Sequence, residues 1–256
     1  MRVVVLGCAT STGVPIVGCS CDVCRSQNPK NKRTRSSVFI EAKGKNILID
    51  TSTDLRAQAL ANGVTRIDYV LYTHTHADHT HGIDDLRVFN FINKNSITCF
   101  GSPKTVESIK RNFAYIFDDS YPAGGKPRLD LVEVDAEFSF EGITVTPIRI
   151  NHAHWTIYGF RIGDFAYLTD CSSIPPQSLE QLAGLEVLII GALRYKPHPA
   201  HFSVEEALMA VKEINPRRAY LTHMGHELDY RKLTESLPEG VMPAYDGMTL
   251  ELKDGV

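Results

Sequence analysis

The stretch "THTHADHTHG", residues 73–82, constrains this chain more than any other: it packs four of the ten histidines and an aspartate into ten positions. It follows "IDYVLYT" (67–73), whose apolar, β-branched and aromatic residues read as a buried strand. α/β proteins place chemistry at such strand ends, because the loop is exposed while the strand holds it rigid. His74 and His76 stand two apart at that strand end and so point to the same side. Asp78 and His79 follow after the chain has turned, at the expected start of a helix. Two nitrogens, a carboxylate and a third imidazole can surround a small volume, which suits zinc, manganese or iron. His81 fits no such spacing and is expected behind the ligands or in solvent.

One cluster does not close two coordination shells, and three further apolar runs stop at a ligand type. These are "RINHAH" at His152, "AYLTD" at Asp170 and "AYLTH" at His223. An aspartate can bridge two cations with its two oxygens, so Asp170 is the natural bridge. His154 rivals His152, which lies nearer the strand end.

A second cluster lies early in the chain. "GCSCDVC" supplies Cys19, Cys21 and Cys24, too compact for convenient disulfides but able to bring three thiolates onto one ion. Structural zinc takes four ligands in a tetrahedron, and His226, three residues after His223, is the best candidate for the fourth. A redox role is weaker, since no helix is evident there to depress a thiol pKa.

The rest of the chain reads as a globular frame for these ligands. With 43% hydrophobic and 22% charged residues and a net charge of −3, nothing suggests bulk attraction to nucleic acid or membrane. The longest apolar runs, such as "LEVLII" (185–190), are far too short to span a bilayer. The opening "MRVVVLG" reads as a first strand with no signal peptide evident, so a cytoplasmic location is expected. There, six cysteines are thiols or metal ligands sooner than disulfides. Short apolar runs recur from end to end, with helical patterns at 54–63, 102–113, 175–184 and 203–214. Ser102 and Ser203 are expected N-caps, and Gly63 and Gly184 expected stops. Short turns between strand pairs suggest antiparallel sheet, and strand–helix alternation suggests helices on the outer faces. Residues 114–128 read as a loop or lid. The expectation is one α/β domain, 1–256, with an N-terminal zinc-binding loop at about 18–36.

His74-x-His76-x-Asp78-His79, with His152, Asp170 and His223 downstream, resembles the metallo-β-lactamase superfamily. That resemblance covers nearly the whole chain. It implies an αβ/βα four-layer sandwich and a two-metal hydrolytic site. His74, His76 and His152 would hold the first ion, and Asp78, His79 and His223 the second, with Asp170 between them. "GCATSTGVPIVGCSCDVC" followed by "NPKNKRTRSSVFI" further resembles the PhnP-type branch. That branch carries three cysteines and a histidine on an extra zinc. It hydrolyses phosphodiesters, notably a phosphoribosyl cyclic phosphate. The branch's first loop often reads Gly-Thr-Gly, whereas this chain has Gly7, Cys8 and Ala9, which puts substrate contacts from that loop in doubt. "YDGM" (245–248) either resembles the branch's final turn or is a plain Asp-Gly hairpin.

The function so implied is metal-dependent hydrolysis of a small or cyclic phosphodiester. Its nucleophile is a hydroxide bound by two divalent ions, manganese or zinc with iron as a further option. Asp78 and His201 are the residues implied in catalysis, with His201 matching the branch's proton donor. His198 has no matching role. Lys30, Lys32, Arg33 and Arg35 form either a solvated loop or a contact for substrate phosphate. A ribonuclease Z-like RNA processor is disfavoured by the net charge and by the lack of a basic arm. A non-hydrolytic protein of the pyrroloquinoline-quinone-biosynthesis kind is disfavoured because all seven metal ligands are present. A thioesterase or lactonase is weaker still. The expected partner is a small phosphodiester, with no membrane and no nucleic acid; a homodimer is compatible.

Overall fold

The structure is a computed structural model that describes residues 1–118, 120 and 125–253. Its strands, in chain order, are β1 (Arg2–Gly7), β2 (Ser37–Ala42), β3 (Lys45–Ile49), β4 (Tyr69–Leu71), β5 (Ile97–Gly101), β6 (Leu129–Glu133) and β7 (Phe138–Phe140), followed by β8 (Ile143–His152), β9 (Trp155–Ile162), β10 (Phe165–Leu168), β11 (Val187–Gly191), β12 (Arg218–Thr222), β13 (Val241–Pro243) and β14 (Met248–Glu251). They form two seven-stranded sheets, ordered β14-β1-β2-β3-β4-β5-β6 and β13-β12-β11-β10-β9-β8-β7.

Each sheet is antiparallel in one half and parallel in the other. The antiparallel expectation therefore holds only for β14/β1/β2/β3 and β7/β8/β9/β10. From β3 to β6 and from β10 to β13 the pairing is parallel. Parallel neighbours need a crossover, and helices such as Leu55–Asn62, Pro103–Asn112 and Val204–Ile214 supply it. Alternation along the strands sorts the core. Val3 and Val5 face the other sheet among Ile148, Phe160 and Leu168. Val4 and Leu6 face outward to Leu55, Ala59, Leu86 and Phe89 on covering helices. The result is the four-layer αβ/βα sandwich.

Local signals held where a side chain closes the helix. The Ser102 hydroxyl accepts from the Thr105 N–H at 3.2 Å, and Ser203 forms a reciprocal capping box with Glu206. Gly63 ends its helix at φ 65°. Gly184 does not end one. That helix stops at Glu180, and Gly184 lies in the turn beyond it. The 114–128 segment begins with a helical turn, Ala114–Phe117, and residues 119 and 121–124 lie outside the described residues. Among the described residues, no helix is long and apolar enough to cross a membrane.

Candidate metal centre

The ends of β3, β4, β8, β10 and β12 converge on one edge of the sandwich, bringing Asp50, His74, His76, His152, Asp170 and His223 together. Asp50, Asp170 and His223 all have left-handed backbone, with φ of 63°, 56° and 55°. That conformation is unfavourable for residues with a side chain, and it persists where the surroundings over-determine it. Here it turns each chain sharply off its strand and aims the side chain inward. The helical turn Ala77–Thr80 adds Asp78 and His79. Gly82 lets this turn seat closely, since a Cβ there would lie 2.0 Å from the Ser52 carbonyl oxygen.

Two sets of ligand atoms result. Those of His74, His76, His152 and Asp170 lie within 4.8 Å of one another, as do those of Asp78, His79, Asp170 and His223. Asp170 belongs to both and divides its oxygens between them. Its Oδ2 lies 3.8 Å from His74 Nε2, while its Oδ1 lies 3.3 Å from His79 Nε2 and 3.0 Å from His223 Nδ1. The rings are fixed from behind. His152 Nδ1–H donates to the Ala200 carbonyl at 2.7 Å. His79 Nδ1 meets Asp50 at 2.7 Å, and His223 Nε2 meets the Thr10 hydroxyl at 3.1 Å. Such partners set the tautomer that leaves the other nitrogen free for a metal.

These residues fit divalent cations. Asp78 Oδ2 and His79 Nε2 are buried without a hydrogen-bond partner, a costly state in an apolar interior unless something else satisfies them. Burial pulls the pKa values of His74, His76 and His223 below the imidazole range, so their rings are neutral and carry lone pairs. Burial also opposes charge on His79, but Asp170, Asp78 and Asp50 outweigh it and raise its pKa well above the usual value. Three carboxylates thus crowd one ring, an excess of negative charge that a cation would balance.

The second cluster also assembles. The sulfurs of Cys19, Cys21 and Cys24 lie 3.3, 3.5 and 3.7 Å from His226 Nδ1, a four-ligand set suited to zinc. Contrary to expectation, a helix does begin here. Cys21 caps the turn Asp22–Arg25, and the Cys24 N–H donating to its sulfur lowers the Cys21 thiol to about 6. The basic stretch beside it makes contacts within the protein, with Lys32 still exposed. Arg33 is buried and donates to the Gly225 and Leu228 carbonyls, bracketing His226. Lys32 donates to the Cys24 carbonyl, Arg35 grips Asp54, and Lys30 lies over Tyr230 and Tyr245.

The remaining histidines separate cleanly. His201 stacks on His223 (4.9 Å, 17°), and its buried Nδ1 lies 3.9 Å from Asp170 Oδ2 with no hydrogen bond. His198 packs behind it at 5.1 Å. His154 is exposed and outside both sets, and His81 packs edge-on against Phe113. The "YDGM" turn is not the Asp-Gly hairpin of the alternative reading, because β13 and β14 on either side of it lie in different sheets. Asp246 accepts from the Thr34 N–H and hydroxyl and from the Cys8 N–H, tying the last strand to the first loop. Asp50 and Thr10 escaped the sequence reading. Asp50 carried the same signal as Asp170, since "NILID" also stops at a carboxylate.

The pattern of a family model described as the beta-lactamase superfamily domain matches residues 45–224, a span holding all seven ligands of the paired sets. The chain belongs to the metallo-β-lactamase superfamily. Within it the likeness is to the PhnP branch: a solved diphosphatase of the PhnP family shares 38% identity, covers 98% of both chains and superposes with a TM-score of 0.92. Zinc-bound PqqB from Methylobacterium extorquens, at 22% identity, a TM-score of 0.79 and coverage of 98% of this chain and 100% of its own, shares the fold. An octanoyltransferase from Porphyromonas gingivalis is 40% identical over 253 residues, which are 97% of this chain and 51% of that protein. The chain therefore spans about half the length of that curated relative.

Proposed function

We propose that the chain hydrolyses a phosphorus–oxygen bond in a small phosphodiester, cyclic diesters included. The observation that carries the proposal is Asp170: each of its oxygens faces a different ligand set, and His201 stands beside it without being a ligand. Divalent cations held there would supply an activated water and positive charge against the phosphoryl oxygens. The protein's own residues do the rest. Asp170 and Asp50 keep the surrounding imidazoles oriented. Burial, reinforced by His223, pulls the His201 pKa down to about 3, so this ring is neutral at rest. A substrate's phosphoryl charge raises its proton affinity. Neutral His201 would take up a proton released by the attacking water and deliver it to the departing alkoxide oxygen. RNA is a poor fit, because Lys30, Lys32, Arg33 and Arg35 are engaged in internal contacts.

The PhnP-family diphosphatase supports a second reading, cleavage of a diphosphate. A phosphate leaving group needs little protonation, so His201 separates the two. General acid catalysis is worth about 10²–10⁴-fold, and His201→Ala should lose close to that on an alkyl or sugar diester. It should lose far less on a nitrophenyl diester or a diphosphate. Metal content should not change. The broader test is a panel of diesters, diphosphates, monoesters, thioesters, lactones and β-lactams on metal-defined protein. Diesters should lead and β-lactams stay nearly untouched. Faster turnover of a thioester or lactone than of any phosphorus substrate would overturn the proposal.

A further inference from the structure

The helix Leu86–Asn93, on the outer face of the first sheet, is apolar on its exposed side as well as its buried one. Leu86 and Phe89 are buried in the outer core, while Val88, Phe91 and Ile92 are 51, 70 and 55% exposed. A helix apolar on both sides is normally covered on both sides. Next to it lies the helix Leu55–Asn62, whose Leu60 is 68% exposed. The two helices make successive crossovers, from β3 to β4 and from β4 to β5, and both pack on the same outer core. They therefore run side by side in the same direction. Between them is a groove of about 280 Å³ lined by Ala59, Leu60, Val64, Val88, Phe89 and Ile92.

Two opposite charges stand at one end of this groove. Arg56 is the second residue of its helix, and Asp85 immediately precedes the other helix. Among the described residues neither side chain has an ion pair or hydrogen bond, so they do not pair with each other. Nearby charges are already engaged: Arg87 pairs with Asp84, and Arg35 with Asp54. We infer that this face docks a second copy of the chain, with the two-fold axis running along the groove. Rotation about that axis lays Leu55–Asn62 of one copy over Leu86–Asn93 of the other, in the same direction. Arg56 then meets Asp85 of the partner subunit, twice per dimer, and Leu60 meets the partner's Val88 and Ile92. A two-fold interface must be self-complementary, and a positive and a negative rim at the same height on the two helices meet that demand. The four exposed apolar side chains present on the order of 400 Å², the size at which a monomer's largest patch is often functional. A standard interface takes about 800 Å² per partner, with an apolar centre and a polar rim. This patch supplies the centre, and Arg56, Thr65 and Asp85 begin the rim.

Metal-loaded protein should sediment as a dimer at micromolar concentration in analytical ultracentrifugation. Phe91→Glu and Leu60→Glu change exposed positions, so circular dichroism and metal content should stay unchanged, while the dimer weakens by about a hundredfold or more. Arg56→Glu and Asp85→Arg should each weaken it about tenfold at low salt, and less as salt rises. Both reversals in one chain restore opposite charges across the axis and should return the dimer close to wild-type strength. Only a second copy gives that recovery, since a different protein docked here would keep its own charges and bind worse. A wild type that stays monomeric would overturn the inference and leave this face to another protein. A dimer that survives both Phe91→Glu and Leu60→Glu would place the interface elsewhere and overturn it too. Failure of the double reversal to recover would overturn the pairing along the groove. Sedimentation is read without substrate, so none of these outcomes depends on the hydrolytic reading.

Discussion

Asp50 never reaches the metal positions, yet it should control one of them. It is fully buried at φ 63°. Its Oδ1 accepts from the Thr73 N–H at 2.8 Å, and its Oδ2 accepts from the Thr73 hydroxyl at 2.7 Å and meets His79 Nδ1 at 2.7 Å. Asp50→Asn keeps the shape, and asparagine tolerates left-handed backbone, so the change isolates charge and hydrogen-bond sense. Neither amide orientation works. With its NH₂ toward Thr73 it confronts an N–H, stranding a buried donor at about 1–3 kcal/mol. With its NH₂ toward His79 it selects the tautomer whose Nε2 carries the proton, taking the lone pair from the ligand position. Loss of such an outer partner typically weakens metal affinity about 10–100-fold. Chelator competition, with metal counted per chain, should show that loss at the set containing His79. The cysteine site supplies the internal reference and should not change. Weaker folding with unchanged affinity at the His79 set would refute the reasoning.

Metal analysis should find up to three ions per chain; Asp170→Ala should lose the paired ions and keep the zinc, while Cys21→Ser should do the reverse and loosen the N-terminal loop. A single ion in wild-type protein supplied with excess manganese and zinc would sink that assignment. Burial lifts the Asp246 carboxyl to about 6 against the Thr34 and Cys8 donors that oppose it. The folded chain therefore binds a proton there more readily than the unfolded chain, whose Asp pKa is about 3.9. Holding the anion costs stability above pH 6, and that cost is relieved as pH falls toward 4, by roughly 3 kcal/mol. Denaturation midpoints should thus show wild type gaining on Asp246→Asn between pH 7 and 4; parallel curves would count against it. Gly82→Ala should cost about 1–3 kcal/mol by overpacking against Ser52 and should weaken the site; an unchanged melting temperature would contradict that.

Much of the site was legible because its ligands sit where hydrophobic runs stop. Such an edge survives in one dimension, and it marked His74, His152, Asp170 and His223. What tunes those ligands was harder to see. Thr10 lies in a loop with no periodic pattern, and it meets His223 only once β1 and β12 are brought near each other. Arg33 read as a surface charge because nothing local announces a buried guanidinium. Its partners are carbonyls nearly two hundred residues away. The helix Leu86–Asn93 was missed because "LRVFNFIN" is rich in strand-favouring residues, and its burial against β-sheet side chains overrides propensity. β13 is a three-residue edge strand ending in proline, too short to leave a pattern.

His223 and His226 stand three residues apart on one loop, with the carbonyls between and beyond them gripped by Arg33. Each paired ligand set joins the two sheets, His74, His76, Asp78 and His79 following β4 of one and His152, Asp170 and His223 ending strands of the other, and the cysteines come from near the start of the chain. Cations in these places are cross-links. All six cysteines are free thiols, so no covalent bond staples these distant segments. A staple over a loop of that length restricts the unfolded chain by on the order of 4–5 kcal/mol in the disulfide case. With cations bound there, metal supply to the cell making this protein would govern how long each molecule survives.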